Sequence, residues 1–189
     1  MKAKFFDDHF YHVYNRGVHK SQIFFSEQNY EYGLKLISKY SAQYKVSVVA
    51  YCLMPNHYHL LVWQQAGGST ARFLQTTFNA YTQAVNKQQN LHGTLFEGSA
   101  QSLNLDTDSY VLQLVRYIHL NPVAARLVTF PQEWKFSDYS VWAGFRKDPR
   151  FDDRIRKRYF ADGGEYRFFV EEYLHDSSFS EIRQFLFEE

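Results

Sequence analysis

The sequence is poor in cysteine and lacks any long apolar stretch. Its single cysteine, Cys52, excludes a disulfide framework and a zinc site built from several thiolates. No apolar run approaches the roughly 18 residues that a membrane-spanning helix needs. Asp7 and Asp8 stand where an export signal would be apolar, so we expect a cytoplasmic protein with no membrane partner.

A strong net charge is also missing. The 189 residues carry a formal charge of +1, which is too small to identify a nucleic-acid-binding protein by itself. The charge is unevenly placed, because residues 1–130 contain 11 Lys and Arg against 7 Asp and Glu, whereas residues 131–189 contain 10 against 13. Aromatic residues make up 19% of the chain, and they can build a core or provide surfaces on which unpaired bases stack.

Apolar periodicity predicts four strands and three helices. Side-chain alternation predicts the strands, which are residues 10–15, 46–54, 57–63 and 100–105. Stripes at i, i+4 spacing predict the helices, which are residues 26–44, 69–85 and 106–121. Pro122 is expected to stop the third helix. This order predicts an α+β, ferredoxin-like (RRM-like) fold, with an antiparallel sheet, helices on one face and one added helix.

Two histidines separated by one residue open the third predicted strand. Side chains alternate faces along a strand, so His57 and His59 project to one side, about 7 Å apart, while Tyr58 points to the other. Two imidazoles placed in this way can share one divalent cation. The competing interpretation is a pair of ordinary histidines on a solvated strand face, and the motif alone leaves both open.

The added helix carries a second polar pair. Its apolar stripe, which includes Ile118, is expected to face the core, and Tyr117 and Asn121 share a neighbouring face off the apolar side because they are four residues apart. An amide oxygen suits Mg²⁺ or Mn²⁺ as a ligand, and a positioned tyrosine is a competent nucleophile. The alternative is a half-buried tyrosine followed by an asparagine that ends the helix before Pro122.

These motifs and two further segments resemble one family of DNA-processing enzymes. Residues 50–62, around His57-Tyr58-His59, are similar to the single-tyrosine HUH transposases, whose signature is a hydrophobic residue between two histidines. Residues 117–123 resemble the nucleophile helix of the branch called REP-associated tyrosine transposases. Residues 11–17 resemble the first strand of that branch, and residues 134–139 resemble its segment after the helix. The resemblance extends from residue 10 to about residue 142.

The resemblance implies cleavage and strand transfer of single-stranded DNA. Tyr117 is the implied nucleophile, which would form a 5′-phosphotyrosine and release a 3′-OH able to rejoin another strand. His57, His59 and Asn121 are the implied ligands of Mg²⁺ or Mn²⁺. The implied partner is single-stranded or hairpin DNA formed by palindromic repeats on the bacterial nucleoid, and the protein would act as a monomer or a homodimer.

Further DNA contacts are expected from basic residues. We predict that residues 1–130 form the HUH single-tyrosine transposase domain and that residues 131–189 form a mostly helical extension packed on it. The candidate DNA-binding residues are Arg16, Arg116, Arg154, Arg156, Lys157 and Arg158. The acidic end, residues 162–189, is expected to pack away from DNA, through side chains that include Phe168, Phe169 and Tyr173.

One departure from the family keeps other functions open. Where the family commonly has an arginine, an aromatic and a basic residue after its Leu-Phe loop, residues 99–101 are Ser-Ala-Gln. The missing arginine, a natural phosphate clamp, and the weak net charge favour a non-catalytic, domesticated nucleic-acid-binding protein on the same fold. A nuclease that activates water, for which Tyr117 is dispensable, is a third possibility. The histidine pair facing a phenol favours the strand transferase.

Overall fold

Four antiparallel strands form one sheet in the part of the chain that the computed structural model describes, residues 4–105, 107–150 and 154–175. The strands are β1 (His9–Arg16), β2 (Val46–Met54), β3 (His57–Gln64) and β4 (Gln101–Leu105). Their spatial order is β2-β3-β1-β4. This sheet, with its helical connections, has the predicted ferredoxin-like α+β arrangement, so the predicted fold class is confirmed.

Helices cover both faces of the sheet. They are α1 (Glu27–Gln43), α2 (Thr70–Gln89), α3 (Asp108–Ala124), α4 (Tyr139–Trp142), α5 (Arg154–Tyr159) and α6 (Gly163–Glu171). The first two pack on one face with Tyr11, Val13 and Tyr58, and α3 packs on the other with Cys52 and Leu61. Within the described ranges, no helix combines the length and apolar character needed to cross a membrane.

The added helix α3 continues past Pro122, so the prediction that Pro122 stops it is wrong. The helix ends after Ala124 in a Schellman motif, in which the Leu127 N–H donates to the Pro122 carbonyl and the Arg126 N–H donates to the Val123 carbonyl, both at 2.9 Å. Arg126 adopts the left-handed φ of 57° that this motif requires. Pro122 lacks the backbone N–H and crowds the preceding turn, but so close to the end of the helix few bonds depend on it, and the cap bonds close the last turn.

The segment between α3 and α4 covers the outer edge of β2. The Trp134 Nε1–H donates to the Leu53 carbonyl at 2.9 Å, and the Leu53 N–H donates to the Phe136 carbonyl at 3.0 Å. Cys52 and Ser137 form an antiparallel bridge. An uncovered strand edge can pair with the strands of other chains. The structural role of the 134–139 motif is therefore to cover the edge of β2.

A buried hydrogen-bond network connects the segment between α3 and α4 to α3 and α6. The carboxyl group of Asp138, 2% exposed, accepts from the Tyr51 N–H at 2.7 Å, from His119 Nε2 at 2.8 Å and from Trp142 Nε1 at 3.1 Å. The other ring nitrogen of His119 contacts the Tyr166 hydroxyl. One carboxyl group therefore joins β2, α3 and α4, and through His119 it reaches α6.

We expect Asp138→Ala to lower the free energy of unfolding by about 3 to 5 kcal/mol, because it leaves the Tyr51 N–H and His119 Nε2 buried without their acceptor. Urea denaturation measures the change. The matched control is Glu31→Ala, which removes an exposed carboxylate 3.9 Å from Arg150 and should change stability by no more than about 0.5 kcal/mol. Similar effects of the two substitutions would show that the network does not hold these elements together.

Candidate active site

The alternation of β3 places two histidines on the face that α3 covers. His57 and His59 project toward α3, and their ring centroids are 5.1 Å apart. Tyr58 points to the opposite face, where its ring stacks on Phe78 at 4.1 Å. The hairpin that joins β2 to β3 contributes Asn56, whose Oδ1 accepts from His57 Nδ1 at 2.7 Å.

The histidines meet two polar side chains from α3. His57 Nε2 is 3.2 Å from Asn121 Oδ1, and His59 Nε2 is 3.2 Å from Tyr117 Oη. The Asn121 Nδ2–H donates to Tyr117 Oη at 2.7 Å, one helical turn away. The structure therefore brings the two predicted imidazoles, the amide and the phenol into one cluster.

Tyr117 lies inside the protein rather than off the apolar side of α3, where the sequence predicted it. Its side chain is 2% exposed and belongs to the apolar cluster between the sheet, α3 and the helices that follow. The prediction is wrong because the Tyr117 side of α3 packs on the sheet, where the phenol ring lies 5.2 Å from the ring of His59 and 6.3 Å from that of His12, while α6 covers another side of the helix. Every residue from Leu114 to Pro122 is buried.

Burial sets the protonation of the cluster. It lowers the pKa of His57 to about 4; the contact with Asn121 opposes this shift, and the Arg16 charge adds to it. It lowers the pKa of His59 well below its usual range, with the neighbouring His57 and His12 adding to the effect. It raises the pKa of Tyr117, while the hydrogen bond from Asn121 opposes that shift. Near neutral pH the imidazoles are therefore neutral and the phenol is protonated.

The donor set suits a divalent cation. A neutral imidazole has one N–H, and the short contact with Asn56 places it on Nδ1 of His57, so Nε2 turns a lone pair toward the Asn121 oxygen. Two acceptors 3.2 Å apart repel each other, yet their spacing is close to the roughly 3 Å between neighbouring ligands in an octahedron with bonds of about 2.1 Å. His57, His59 and Asn121 therefore fit Mg²⁺ or Mn²⁺. Within the described residues, no group of three His, Cys, Asp or Glu side chains offers a competing site.

Sequence reasoning missed His12. It lies on β1, is 2% exposed, and places Nε2 2.9 Å from His59 Nδ1. Alternation already assigns His12 to the face opposite Tyr11, and a ferredoxin-like sheet places β1 beside β3. The missing information was the register, which pairs Tyr14 with His59 and leaves His12 diagonal to it.

Arg16 lies at the open side of the cluster. It ends β1 as the direct register partner of His57, which places both side chains on the same face of the sheet. Its guanidinium pairs with Glu97, and its backbone carbonyl accepts from the Glu97 N–H at 2.9 Å. The structure therefore brings this candidate DNA-binding residue next to the proposed metal ligands.

The structure contradicts a DNA contact for Arg116. Its guanidinium is stacked between the rings of Phe169 and Tyr173, each centroid 3.7 Å away, and it lies 3.5 Å from a Glu172 oxygen. The side chain is 2% exposed, so phosphate cannot reach it. Phe169 and Tyr173 pack as expected, but Phe168 is 74% exposed, which contradicts its predicted packing role. Residues 176–189 of the predicted acidic end lie outside the described residues.

The basic residues of α5 lie away from the cluster. The Arg154 guanidinium is 5.5 Å from the Trp63 ring, near the far end of β3 from His57. Arg158 is 3.4 Å from Asp108 at the start of α3, about 20 Å along that helix from Asn121. Arg156 and Lys157 share the six-residue helix with them. These four residues are therefore placed on the α3 side of the sheet, but not at the cluster.

Comparison with known proteins identifies the family. Residues 6–121, more than half of the chain, match the family described as IS200-like transposases. The chain therefore belongs to the IS200-like transposase family, which confirms the expectation from its motifs. No protein of curated function matches the sequence.

One solved structure shows the same fold, and a second is a weaker match. A REP-associated tyrosine transposase bound to a REP hairpin is 14% identical, with a TM-score of 0.66 over 79% of this chain and 88% of that one. A protein from Deinococcus radiodurans R1, described as a candidate transposase, is 21% identical, with a TM-score of 0.43 over 62% of this chain and 95% of that one. The first of these likenesses supports the sheet and helix arrangement described above.

Stability should depend on pH through the buried histidines. Burial lowers the pKa of His12 to about 3. Below about pH 6.5, His12 therefore becomes protonated in the unfolded chain, whereas in the folded protein it stays neutral until the pH is near 3. Lowering the pH in this range favours the unfolded chain, so the stability that the protein has above about pH 6.5 is lost as the pH falls. The loss is at most about 1.4 kcal/mol per pH unit for each such histidine. We expect urea denaturation between pH 7 and pH 5 to show a steeper fall for the wild type than for His12→Gln. Equal slopes would contradict a buried, neutral His12.

Proposed function

We propose that the protein cuts and rejoins single-stranded DNA with Tyr117 as the nucleophile and a divalent cation held by His57, His59 and Asn121. The observation that carries the proposal is the cluster in which hydrogen bonds with His59 and Asn121 hold the Tyr117 hydroxyl, beside three side chains of types that can bind a metal. A protein that only binds DNA has no need of that combination. Membership of a transposase family supports a function in DNA transposition.

In the proposed reaction Tyr117 Oη attacks the scissile phosphorus. The bond from Oη to phosphorus forms, the bond from phosphorus to the 3′ oxygen breaks, and the proton lost by the phenol is balanced by one gained at the 3′ oxygen. The phosphotyrosine keeps the energy of the phosphodiester, so a 3′-OH can reverse the step on another strand without ATP. Bound Mg²⁺ or Mn²⁺ would polarise the phosphoryl oxygens.

The side chains of this protein prepare the nucleophile. The Asn121 amide holds Tyr117 Oη in place and favours the phenolate by hydrogen bonding, against the effect of burial on the tyrosine pKa. Before DNA enters, the Tyr117 O–H can donate to His59 Nε2. Arg16 would contact the phosphate at the open side of the cluster, exchanging its Glu97 partner for the DNA.

Hairpin DNA is the partner that we propose. The REP-associated tyrosine transposase that shares the fold is described as bound to a REP hairpin. Residues 1–130 would form the transposase domain, and the extension, residues 131–189, would contribute α5 as a basic rim. Arg158 forms an exposed ion pair with Asp108, and a DNA phosphate could take the place of the Asp108 carboxylate.

A non-catalytic DNA-binding protein is the second candidate. It is favoured by Ser99, which stands where the family commonly has arginine, and by Glu97, which occupies the guanidinium of Arg16. Both features weaken phosphate binding beside the cluster. This candidate predicts hairpin binding without cleavage.

Tyr117→Phe should abolish the covalent protein–DNA adduct while preserving folding and hairpin binding, because it removes only the nucleophilic oxygen. The measurement is incubation with labelled single-stranded hairpin DNA and Mn²⁺, followed by denaturing electrophoresis. The matched control is Tyr32→Phe on α1, behind the opposite face of the sheet, which should form the adduct as the wild type does.

Two outcomes would contradict the proposal in different ways. Nicking at the wild-type rate by Tyr117→Phe would favour a nuclease that activates water. Tight hairpin binding by the wild type, with neither adduct nor nick in Mn²⁺ or Mg²⁺, would favour the non-catalytic protein.

Replacing Arg154, Arg156, Lys157 and Arg158 by glutamine should weaken single-strand binding and flatten its salt dependence. Each phosphate contact that is lost lowers the slope of log affinity against log salt by about 0.7. Fluorescence anisotropy at several salt concentrations measures it. The control removes an equal charge behind the other face of the sheet, at Lys35, Lys39, Lys45 and Lys87. An unchanged slope in the α5 variant would show that α5 is ordinary surface.

A further inference from the structure

One buried polar side chain at the cluster has no part in the proposed reaction. His12 is 2% exposed, and its ring lies nearly parallel to that of His59, with centroids 5.1 Å apart and an interplanar angle of 24°. The 2.9 Å contact joins His12 Nε2 to His59 Nδ1, on the side of the His59 ring away from Tyr117. His12 therefore cannot ligate the same cation through that nitrogen.

The hydrogen bonds around Tyr117 determine where the His59 proton lies. With the Asn121 amide nitrogen directed at Tyr117 Oη, that oxygen already accepts one hydrogen bond, so the phenol proton needs an acceptor of its own. His59 Nε2, 3.2 Å away, provides it only if it carries a lone pair. A neutral His59 must then hold its proton on Nδ1.

A proton on Nδ1 of His59 points at His12 Nε2, which can accept it in a hydrogen bond. We propose that His12 is a positioning residue whose Nε2 accepts the Nδ1–H of His59 and so fixes the tautomer and ring orientation that present His59 Nε2 to the metal. The inference rests on the proposed metal site. A His59 proton on Nε2 instead would point an N–H at Tyr117 Oη and leave Nε2 without a lone pair for the proposed metal.

The surroundings explain why the acceptor is an imidazole. Histidines that bind metals usually donate their second N–H to a carboxylate, a carbonyl or water, and losing that partner typically costs 10- to 100-fold in metal affinity. His59 is fully buried and His12 nearly so, and an ionised carboxylate at that depth would carry a large desolvation cost. A neutral imidazole accepts the same hydrogen bond without adding negative charge beside a site proposed to bind phosphate.

Two variants separate the hydrogen bond from simple packing. His12→Phe keeps a buried ring but removes the acceptor, so Mn²⁺ affinity, measured by titration calorimetry and by the electron paramagnetic resonance of free Mn²⁺, should fall 10- to 100-fold. His12→Gln can place an amide oxygen near the former Nε2 position and should restore most of that affinity. The matched control is His9→Gln, an exposed position on the other face of β1, which should bind Mn²⁺ as the wild type does.

A second measurement uses the unmodified protein without metal. Nitrogen-15 NMR of the histidine rings should find the proton of His59 on Nδ1, and in His12→Phe this preference should weaken. A proton on Nε2 in the wild type, or equal Mn²⁺ affinity in the wild type and a folded His12→Phe, would overturn the inference while leaving the metal site intact. Failure of the wild type to bind Mn²⁺ would instead contradict the proposed function, and the NMR result would still decide the role of His12.

Discussion

The packing of α3 against β3 and its neighbour β2 is the contact on which the rest of the structure depends. β3 provides the two histidines, α3 provides the phenol and the amide, and neither element forms a site alone. α3 stays in place because it is apolar on two sides, one against the sheet and one against the extension. The Asp138 network and the stacking of Arg116 between two aromatic rings attach the extension to its outer side. These contacts therefore cover the side of α3 that faces away from the sheet.

Burial gives the cluster its chemical character. The proposed ligands carry no formal charge near neutral pH, because the low pKa values of the histidines keep them unprotonated and the third ligand is an amide. A divalent cation held there would keep most of its charge for an incoming phosphate. Burial has the opposite effect on Tyr117, whose proton is harder to remove, and the hydrogen bond from Asn121 partly offsets it. In the proposed site, Asn121 would therefore hold the phenol with its nitrogen and the cation with its oxygen.

Local patterns predicted the elements well and the environment of α3 poorly. The alternation of β3 and the i, i+4 spacing of Tyr117 and Asn121 follow from backbone geometry, so the histidine pair and the polar pair could be placed before the fold was seen. The burial of Tyr117 could not, because it depends on how α3 docks on the sheet, where the phenol ring contacts His12 and His59. The burial of Arg116 depends on Phe169 and Tyr173, which pack on another side of the helix. His12 was missed for a related reason, since its partner is set by the register between strands distant in the chain.

The identity of the nucleophile is the central claim, and tandem mass spectrometry of the adduct tests it most directly. The wild-type protein is trapped on hairpin DNA with Mn²⁺, digested with protease and nuclease, and the peptide that retains a nucleotide is sequenced. We expect a nucleotide joined through its phosphate to Tyr117, within the peptide that continues through Asn121 to Arg126. A nucleotide on any other residue, or cleaved DNA with no nucleotide on the protein, would contradict it.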